Sequence, residues 1–128
     1  MLPLGMTYQV KELLLEDLSS PYANWFNTLS PDVTAKVVTA KLRMQQGNLY
    51  SVEWFRGIGE CKIDFGAGWR IYIAKDGLQL IVLLGGDSKK GQQRDIDRAV
   101  GLWHDYKQRK LLVTRKSKSS TTPGKRKE

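Results

Sequence analysis

The sequence predicts a small α+β fold with the element order β-α-α-β-β-β-α, in which a helical hairpin and a C-terminal helix pack on a mainly antiparallel sheet. Three observations predict it. Two Ser-Pro pairs mark helix starts in the first third of the chain, apolar and polar side chains alternate from Glu60 onward, and a helical apolar period follows Gln92. A length of 128 residues suits one domain with a single core.

A strand and a short helix are predicted first. Residues 7–14, TYQVKELL, alternate between apolar and polar side chains, as a half-buried strand does. Ser20 is followed by Pro21, so a hydroxyl N-cap precedes a proline whose missing N–H is harmless in the first turn. We therefore expect a helix near 21–28.

The second helix repeats this start, because Ser30 is followed by Pro31. Gly47 is placed to end the helix in a left-handed conformation. The buried side of the helix is predicted from four apolar residues at spacings of three and four, which are Val33, Val37, Ala40 and Met44. The two helices form a hairpin.

Three strands are predicted in the second half of the chain, at 61–65, 69–75 and 78–84, with a turn at 76–77. The third strand is almost entirely apolar, which predicts that it is covered on both faces. A long helix is expected over 92–110. Its apolar side consists of Ile96, Ala99, Val100, Trp103 and Tyr106.

The segment CKIDFGAGWRIYI contains the first two of these strands. A three-residue loop at 66–68 is predicted to join them, because a two-residue loop would mix the faces and bury a charge. Cys61 then lies on the core side. The solvent-facing side is predicted to carry a square of Lys62, Asp64, Arg70 and Tyr72. Its plain structural interpretation is a cross-strand Asp64–Arg70 ion pair on a polar outer face.

The formal charge of +8 is concentrated at the C-terminal end. Nine basic residues and one acidic residue follow position 106, whereas the body before it holds twelve of each. We therefore divide the chain into a domain at 1–112 and a basic tail at 113–128. The tail is typical of a solvated, disordered extension; as a binding arm, it would contact RNA or ribosomes without sequence preference.

The remaining composition excludes several classes of protein. Apolar runs are too short for a membrane span, and the N-terminus lacks the order of a signal peptide, so a cytoplasmic protein without membrane contact is expected. Cys61 is the only cysteine, which rules out an intramolecular disulfide. The sequence has no Cys/His cluster for a structural zinc ion.

A family resemblance adds a function to this fold. The stretch KIDFGAGWRIYI, followed by LIVLLGGDSKKGQQRDIDRAVGLWHDY, resembles the addiction-module killer proteins of the RelE/ParE toxin superfamily, a branch that includes HigB-like toxins. The resemblance covers about residues 7–110, with Ala67 in place of the usual proline and Trp69 in place of the usual tyrosine. It implies a RelE-like fold in the domain and an antitoxin partner, often a helix-turn-helix DNA-binding protein.

The resemblance also implies an activity. RelE-type toxins cut mRNA on the ribosome without a metal or other cofactor, by attack of the RNA 2′-hydroxyl on the adjacent phosphorus. The reaction needs a base, an acid and cations at the phosphorane. The residues that the resemblance places in the catalytic site are Arg70, as the phosphate-stabilising group, and Lys62, as a second cation that holds a phosphate or aids proton transfer. Tyr72 or Asp64 is a candidate for the base, in place of a family residue that has no counterpart here.

Further basic residues are candidates for binding RNA phosphates. Lys89 and Lys90 resemble the basic residues of the family's last loop, although two lysines between glycines also suit a plain soluble turn. Arg94 lies near the start of the last helix, where backbone N–H groups favour phosphate. His104 lies opposite the apolar stripe of that helix and is expected on the surface.

Two departures keep other functions open. Asp64 stands where RelE has a second lysine, so it could reduce the charge of Arg70 or could itself move the proton. The tyrosine or histidine that other members carry in the last helix has no counterpart here. The alternatives are a non-catalytic inhibitor of DNA gyrase similar to ParE toxins, and a degenerate toxin that survives as a binding protein.

Overall fold

The computed structural model describes residues 7–88 and 92–121, with side chains as far as residue 116. It is an α+β fold in which three helices pack on one five-stranded, mostly antiparallel sheet. In chain order the elements are β1 (Gln9–Glu12), α1 (Pro21–Phe26), α2 (Pro31–Gln45), β2 (Val52–Phe55), β3 (Ile58–Ile63), β4 (Trp69–Asp76), β5 (Leu80–Ser88) and α3 (Gln92–Thr121).

The strands lie in the order β1-β5-β4-β3-β2, with β1 parallel to β5 and every other pair antiparallel. The predicted order is wrong by one strand, because β2 was not expected. β2 and β3 are joined by Arg56 and Gly57, which have φ angles of 54° and 82°. Two positive φ angles in a two-residue loop are typical of the tight hairpin turn that matches strand twist.

The predicted helix starts are confirmed. The hydroxyl of Ser20 accepts a hydrogen bond from the N–H of Ala23 at 2.9 Å, and the hydroxyl of Ser30 accepts one from Val33 at 3.5 Å. Gly47 has a φ of 90° and follows the end of α2, as expected.

Two helices end elsewhere than predicted. α1 ends at Phe26, two residues early, and α3 continues to Thr121 instead of ending at Lys110. Residues 122–128 of the predicted tail lie outside the described residues. In the part of the chain that is described, no helix has the length and apolar character needed to cross a bilayer.

The sheet is covered on both faces, which divides the buried apolar residues into two clusters. One cluster lies under α1 and α2 and includes Val37, Ile71 and Leu83. The other lies under α3 and includes Val82, Leu84 and Trp103. Successive residues of β5 therefore alternate between the two cores, which confirms the predicted burial of this strand on both sides.

Gly86 on β5 allows a close approach of the sheet to α1. A Cβ atom at this position would lie 2.6 Å from ring atoms of Trp25, which is far inside van der Waals contact. We expect Gly86→Ala to lower the free energy of unfolding by about 1–3 kcal/mol, because the indole or the strand must shift. Denaturant unfolding measures this, with Gly101→Ala as the control.

Gly101 lies in α3, and a Cβ atom added there would meet no neighbouring group within 4 Å. Alanine there is expected to leave stability unchanged or to raise it by up to about 1 kcal/mol, since glycine weakens a helix interior. Equal effects of the two substitutions would contradict the packing described for Gly86.

Candidate active site

The hairpin of β3 and β4 has a different register from the predicted one. Lys62 pairs with Arg70 and Ile63 with Trp69, so the loop comprises the five residues 64–68. The prediction of a three-residue loop is wrong because β3 ends at Ile63, two residues before the predicted end of the strand. The N–H of Phe65 donates to the carbonyl of Ile63 at 3.1 Å, before the glycines are reached.

The shift changes the pairing without exchanging the two faces. Each strand keeps its alternation, so Cys61, Ile63 and Ile71 face the core under α2, as predicted. Burial raises the pKa of the Cys61 thiol to about 11, which agrees with its interpretation as a core residue. Asp64 lies in the loop and is exposed.

The opposite face of the hairpin is not the solvent-facing square that was predicted. Arg70 is only 7% exposed and Tyr72 only 1%. The cause is α3, which packs its own apolar side over this part of the sheet through Ile96 and Ala99. Of the four predicted side chains, Lys62 and Asp64 remain exposed.

Arg70 is held by two buried carboxylates. Its Nε lies 3.1 Å from Oε2 of Glu60, and its Nη1 lies 3.4 Å from Oδ1 of Asp87 and 3.4 Å from the carbonyl oxygen of Ser88. The prediction of an Asp64–Arg70 ion pair is wrong. Among the described residues, the carboxylates that pair with the guanidinium are those of Glu60 and Asp87. A buried cation needs such partners, since removal from water is costly.

Asp87 is a buried acid with a hydroxyl and a second carboxyl as neighbours. It accepts a hydrogen bond from the Tyr72 hydroxyl at 2.9 Å, and the carboxyl of Asp95 lies beside it. Burial first, and then Asp95, raise the pKa of Asp87 to about 7, although Tyr72 and Arg70 act against this rise. The pKa of Tyr72 is also raised, by burial and by its bond to Asp87.

The start of α3 closes the site. Nε2 of Gln92 donates a hydrogen bond to Oε2 of Glu60 at 3.3 Å. We call the whole group the polar cluster, and its members are Glu60, Arg70, Tyr72, Asp87, Gln92 and Asp95.

Sequence reasoning missed four members of this cluster. Glu60 lies two residues before Lys62 and so shares its face, and Asp87 follows the apolar run of β5. Two acidic residues within or beside apolar strands were the available signal, because a buried acid implies a buried partner. Gln92 and Asp95 gave no such signal.

Lys62 stands at the exposed margin of the polar cluster. Its Nζ lies 2.9 Å from Oε1 of Glu53, and both side chains are more than half exposed. The bond to Glu53 raises the pKa of Lys62, and Arg70 is near enough to oppose that rise. The structure thus brings Lys62 beside Arg70, whereas Asp64 makes no described contact with either.

The other predicted residues are distributed around this site. Arg94 is exposed in the first turn of α3, and His104 is exposed farther along the helix, as expected. Lys89 and Lys90 lie outside the described residues. In the ranges 7–88 and 92–121, no group of three or more His, Cys, Asp or Glu side chains is placed to hold a metal ion.

The raised pKa of Asp87 predicts a pH-dependent stability. The folded protein binds a proton that the unfolded chain has released, so stability contributed by protonated Asp87 is lost as the pH rises from about 4 to about 7. One such proton contributes a slope of up to about 1.4 kcal/mol per pH unit. We expect Asp87→Asn to flatten the curve of unfolding free energy against pH in this window.

Asn can still accept the Tyr72 hydrogen bond, so the variant is expected to fold. Asp97→Asn is the control, because Asp97 is exposed and its pKa is lowered by Arg56. A wild-type curve that is level from pH 5 to pH 7, or one that Asp87→Asn leaves unchanged, would contradict the burial of Asp87 as a titrating acid.

Comparison with known proteins finds a similar protein in a bacterium. A protein of Haemophilus influenzae, described as an uncharacterized protein, is 32% identical over 96 residues, which are 73% of this chain and 91% of that protein. The chain belongs to the same family. No protein-family model and no solved structure match it. The aligned residues cover most of both chains.

Proposed function

We propose that the chain is the toxin of a type II toxin–antitoxin pair and acts as a ribosome-dependent, metal-independent mRNA endonuclease with a RelE-like fold. The resemblance of residues 60–106 to addiction-module killer proteins supports the family part of this proposal. The observation that carries the chemistry is that Lys62 lies directly opposite Arg70 on the neighbouring strand. Arg70 in turn contacts Asp87, an acid whose pKa is raised to about 7.

The proposed reaction is an internal transesterification. The 2′-oxygen of the RNA forms a bond to the adjacent phosphorus, the bond from phosphorus to the 5′-oxygen breaks, and a 2′,3′-cyclic phosphate is left. One proton leaves the 2′-hydroxyl and one reaches the departing 5′-oxygen. Each transfer is most effective through a group whose pKa is close to the working pH.

The chain supplies groups for these demands. The planar guanidinium of Arg70 suits two non-bridging oxygens at once, and the exposed ammonium of Lys62 can hold the same phosphate from the solvent side. Asp87 is proposed for proton transfer, a role that the sequence had suggested for Asp64 or Tyr72. Tyr72 has a raised pKa and is suited to keep its proton and orient Asp87.

Access to Arg70 is part of this proposal. Its side chain is 8% exposed and already carries two carboxylates, so a phosphate must replace one of them. The replacement keeps the guanidinium paired with an anion throughout. Protonation of Asp87 near neutral pH makes it the easier partner to displace, because a neutral carboxyl holds a cation less strongly.

One observation favours a second candidate function. The cation of Arg70 is neutralised by Glu60 and Asp87 and lies beneath α3. If this arrangement is purely structural, the chain carries a toxin fold without a working nuclease, similar to ParE-type inhibitors of DNA gyrase. Such a protein would arrest growth without cutting RNA.

The test is induction of the chain with and without its antitoxin, followed by growth measurement and mapping of mRNA 5′ ends. We expect arrest and new ends within translated messages, both suppressed by the antitoxin. Lys62→Gln should strongly reduce the cleavage signal, because it removes an exposed cation at the reacting phosphate. Lys11→Gln, an equal charge change on the edge strand β1, which β5 and β4 separate from β3, should cleave normally. Arrest with intact messages would favour gyrase inhibition.

A further inference from the structure

A groove lies across the sheet from the polar cluster, between α2 and the adjoining ends of β2 and β3. Its volume is about 330 Å³. This volume is at the small end of the range of about 300–1,000 Å³ that is typical of sites for a single small molecule. It is suited to one unit of a ligand.

Cations form one wall of the groove. Lys36 and Arg43 are both exposed and lie seven residues apart on α2, which places them on one side of the helix about 10 Å apart along its axis. Within the described part of the chain, neither has a carboxylate within ion-pair distance. Two cations without a carboxylate partner favour an anionic occupant.

The floor of the groove is apolar. Met44 and Cys61, which are 1% and 4% exposed, lie beneath the groove, and the partly exposed side chain of Val52 lines it from β2. Asn48 and Ser51 add an amide and a hydroxyl at the side. An apolar floor with a few polar groups suits a planar heterocycle, whose faces are apolar and whose edges form hydrogen bonds.

Lys62 and Asp64 border the groove at the end nearest the hairpin loop, and the side chain of Lys62 lies on the opposite face of the sheet with Arg70. The carboxylate of Asp64 can accept a hydrogen bond from the amino group of a base. Lys62 also stands opposite Arg70, so the groove borders the site proposed for cleavage.

We propose that this groove binds one nucleoside unit of a single-stranded RNA, with the phosphates on its two sides at Lys36 and Arg43 and its base over the apolar floor. The inference rests on the proposed function, since a strand whose reacting phosphate lies at Lys62 continues into this groove. The nucleotide next to the reacting phosphate would then lie on the face of the sheet that α2 covers.

The test is fluorescence anisotropy of a short labelled single-stranded RNA with the full chain and no ribosomes. Lys36→Gln with Arg43→Gln should weaken binding by about tenfold or more and reduce the slope of log affinity against log salt by about 1.4. Lys11→Gln with Lys41→Gln is the matched control. It removes the same charge from β1 and from a position of α2 outside this groove, and should weaken binding by less than about twofold.

Three results would overturn the inference. The two double variants could lose binding equally, which would indicate only a general charge effect. Adenosine monophosphate could displace the RNA at low concentration, which would assign the groove to a free nucleotide. An acidic peptide could bind through Lys36 and Arg43 while RNA does not, which would assign it to a protein partner.

Two results would distinguish failure of the proposed RNA binding in the groove from failure of the proposed nuclease function. Groove-dependent RNA binding by a chain that arrests growth with intact messages would support the groove and reject the nuclease. Normal RNA binding and normal message cleavage by the Lys36→Gln, Arg43→Gln variant would support the nuclease and reject the groove.

Discussion

Arg70→Ala is expected to lower the free energy of unfolding by about 3–5 kcal/mol, because it leaves buried carboxylates without their cation. Glu60 and Asp87 are 2% and 6% exposed and would face each other across the vacated space. Denaturant unfolding at pH 7 measures the loss. For a domain of this size, such a loss can remove most of the stability.

Arg56→Ala is the matched control for this prediction. Arg56 forms an ion pair with Asp97 at 2.7 Å, but both side chains are about half exposed. Its loss is expected to cost less than about 1 kcal/mol, since water replaces an exposed partner. If the two arginine variants lost equal stability, the buried position of Arg70 would be wrong. Because Arg70→Ala is expected to destabilise the fold, loss of toxicity in this variant cannot by itself be assigned to lost catalysis.

The double variant Glu60→Gln, Arg70→Gln is expected to fold but to lose about a hundredfold or more of its cleavage activity. It removes one buried charge of each sign, so most of the stability lost in Arg70→Ala should return. The guanidinium that is proposed to hold the phosphorane is nevertheless absent. Unfolding curves and quantitative mapping of mRNA ends measure the two effects separately.

Each of the two measurements on the double variant can contradict a different part of the proposal. A folded double variant that arrests growth and cuts messages like the wild type would remove Arg70 from the mechanism. A double variant as unstable as Arg70→Ala would show that Glu60 is not the main partner of the cation.

Local features of the fold could be predicted from the sequence. Ser20 and Ser30 cap their helices as expected, because N-capping depends on a few consecutive residues. The apolar side of α2 was likewise predicted from its spacing. β2 was missed because its hairpin turn uses Arg56 in a left-handed conformation, which a non-glycine residue adopts only seldom.

The environment of the candidate site could not be predicted in the same way. Alternation identified which residues share a face with Arg70, but not what covers that face. The cover is α3, whose first residues begin more than twenty positions later in the chain. The apolar stripe of that helix was predicted correctly, but its docking on the hairpin depends on the register of β4 and β5.

The burial of Arg70 changes the interpretation of the hairpin motif. The sequence suggested an exposed arginine whose charge is reduced by Asp64. In the structure, Glu60 and Asp87 are the residues that pair with Arg70 and reduce its charge, whereas Asp64 lies in the loop. The proposed active site therefore consists of a buried half around Arg70 and an exposed half at Lys62.

The central claim is that the chain cuts translated mRNA by attack of the RNA 2′-hydroxyl. Its most direct test is the chemical nature of the fragment ends formed on purified ribosomes programmed with a message. We expect fragments with a 2′,3′-cyclic phosphate on one side and a 5′-hydroxyl on the other, and their loss in the folded Glu60→Gln, Arg70→Gln variant. Intact message, or fragments that carry a 5′-phosphate, would contradict it.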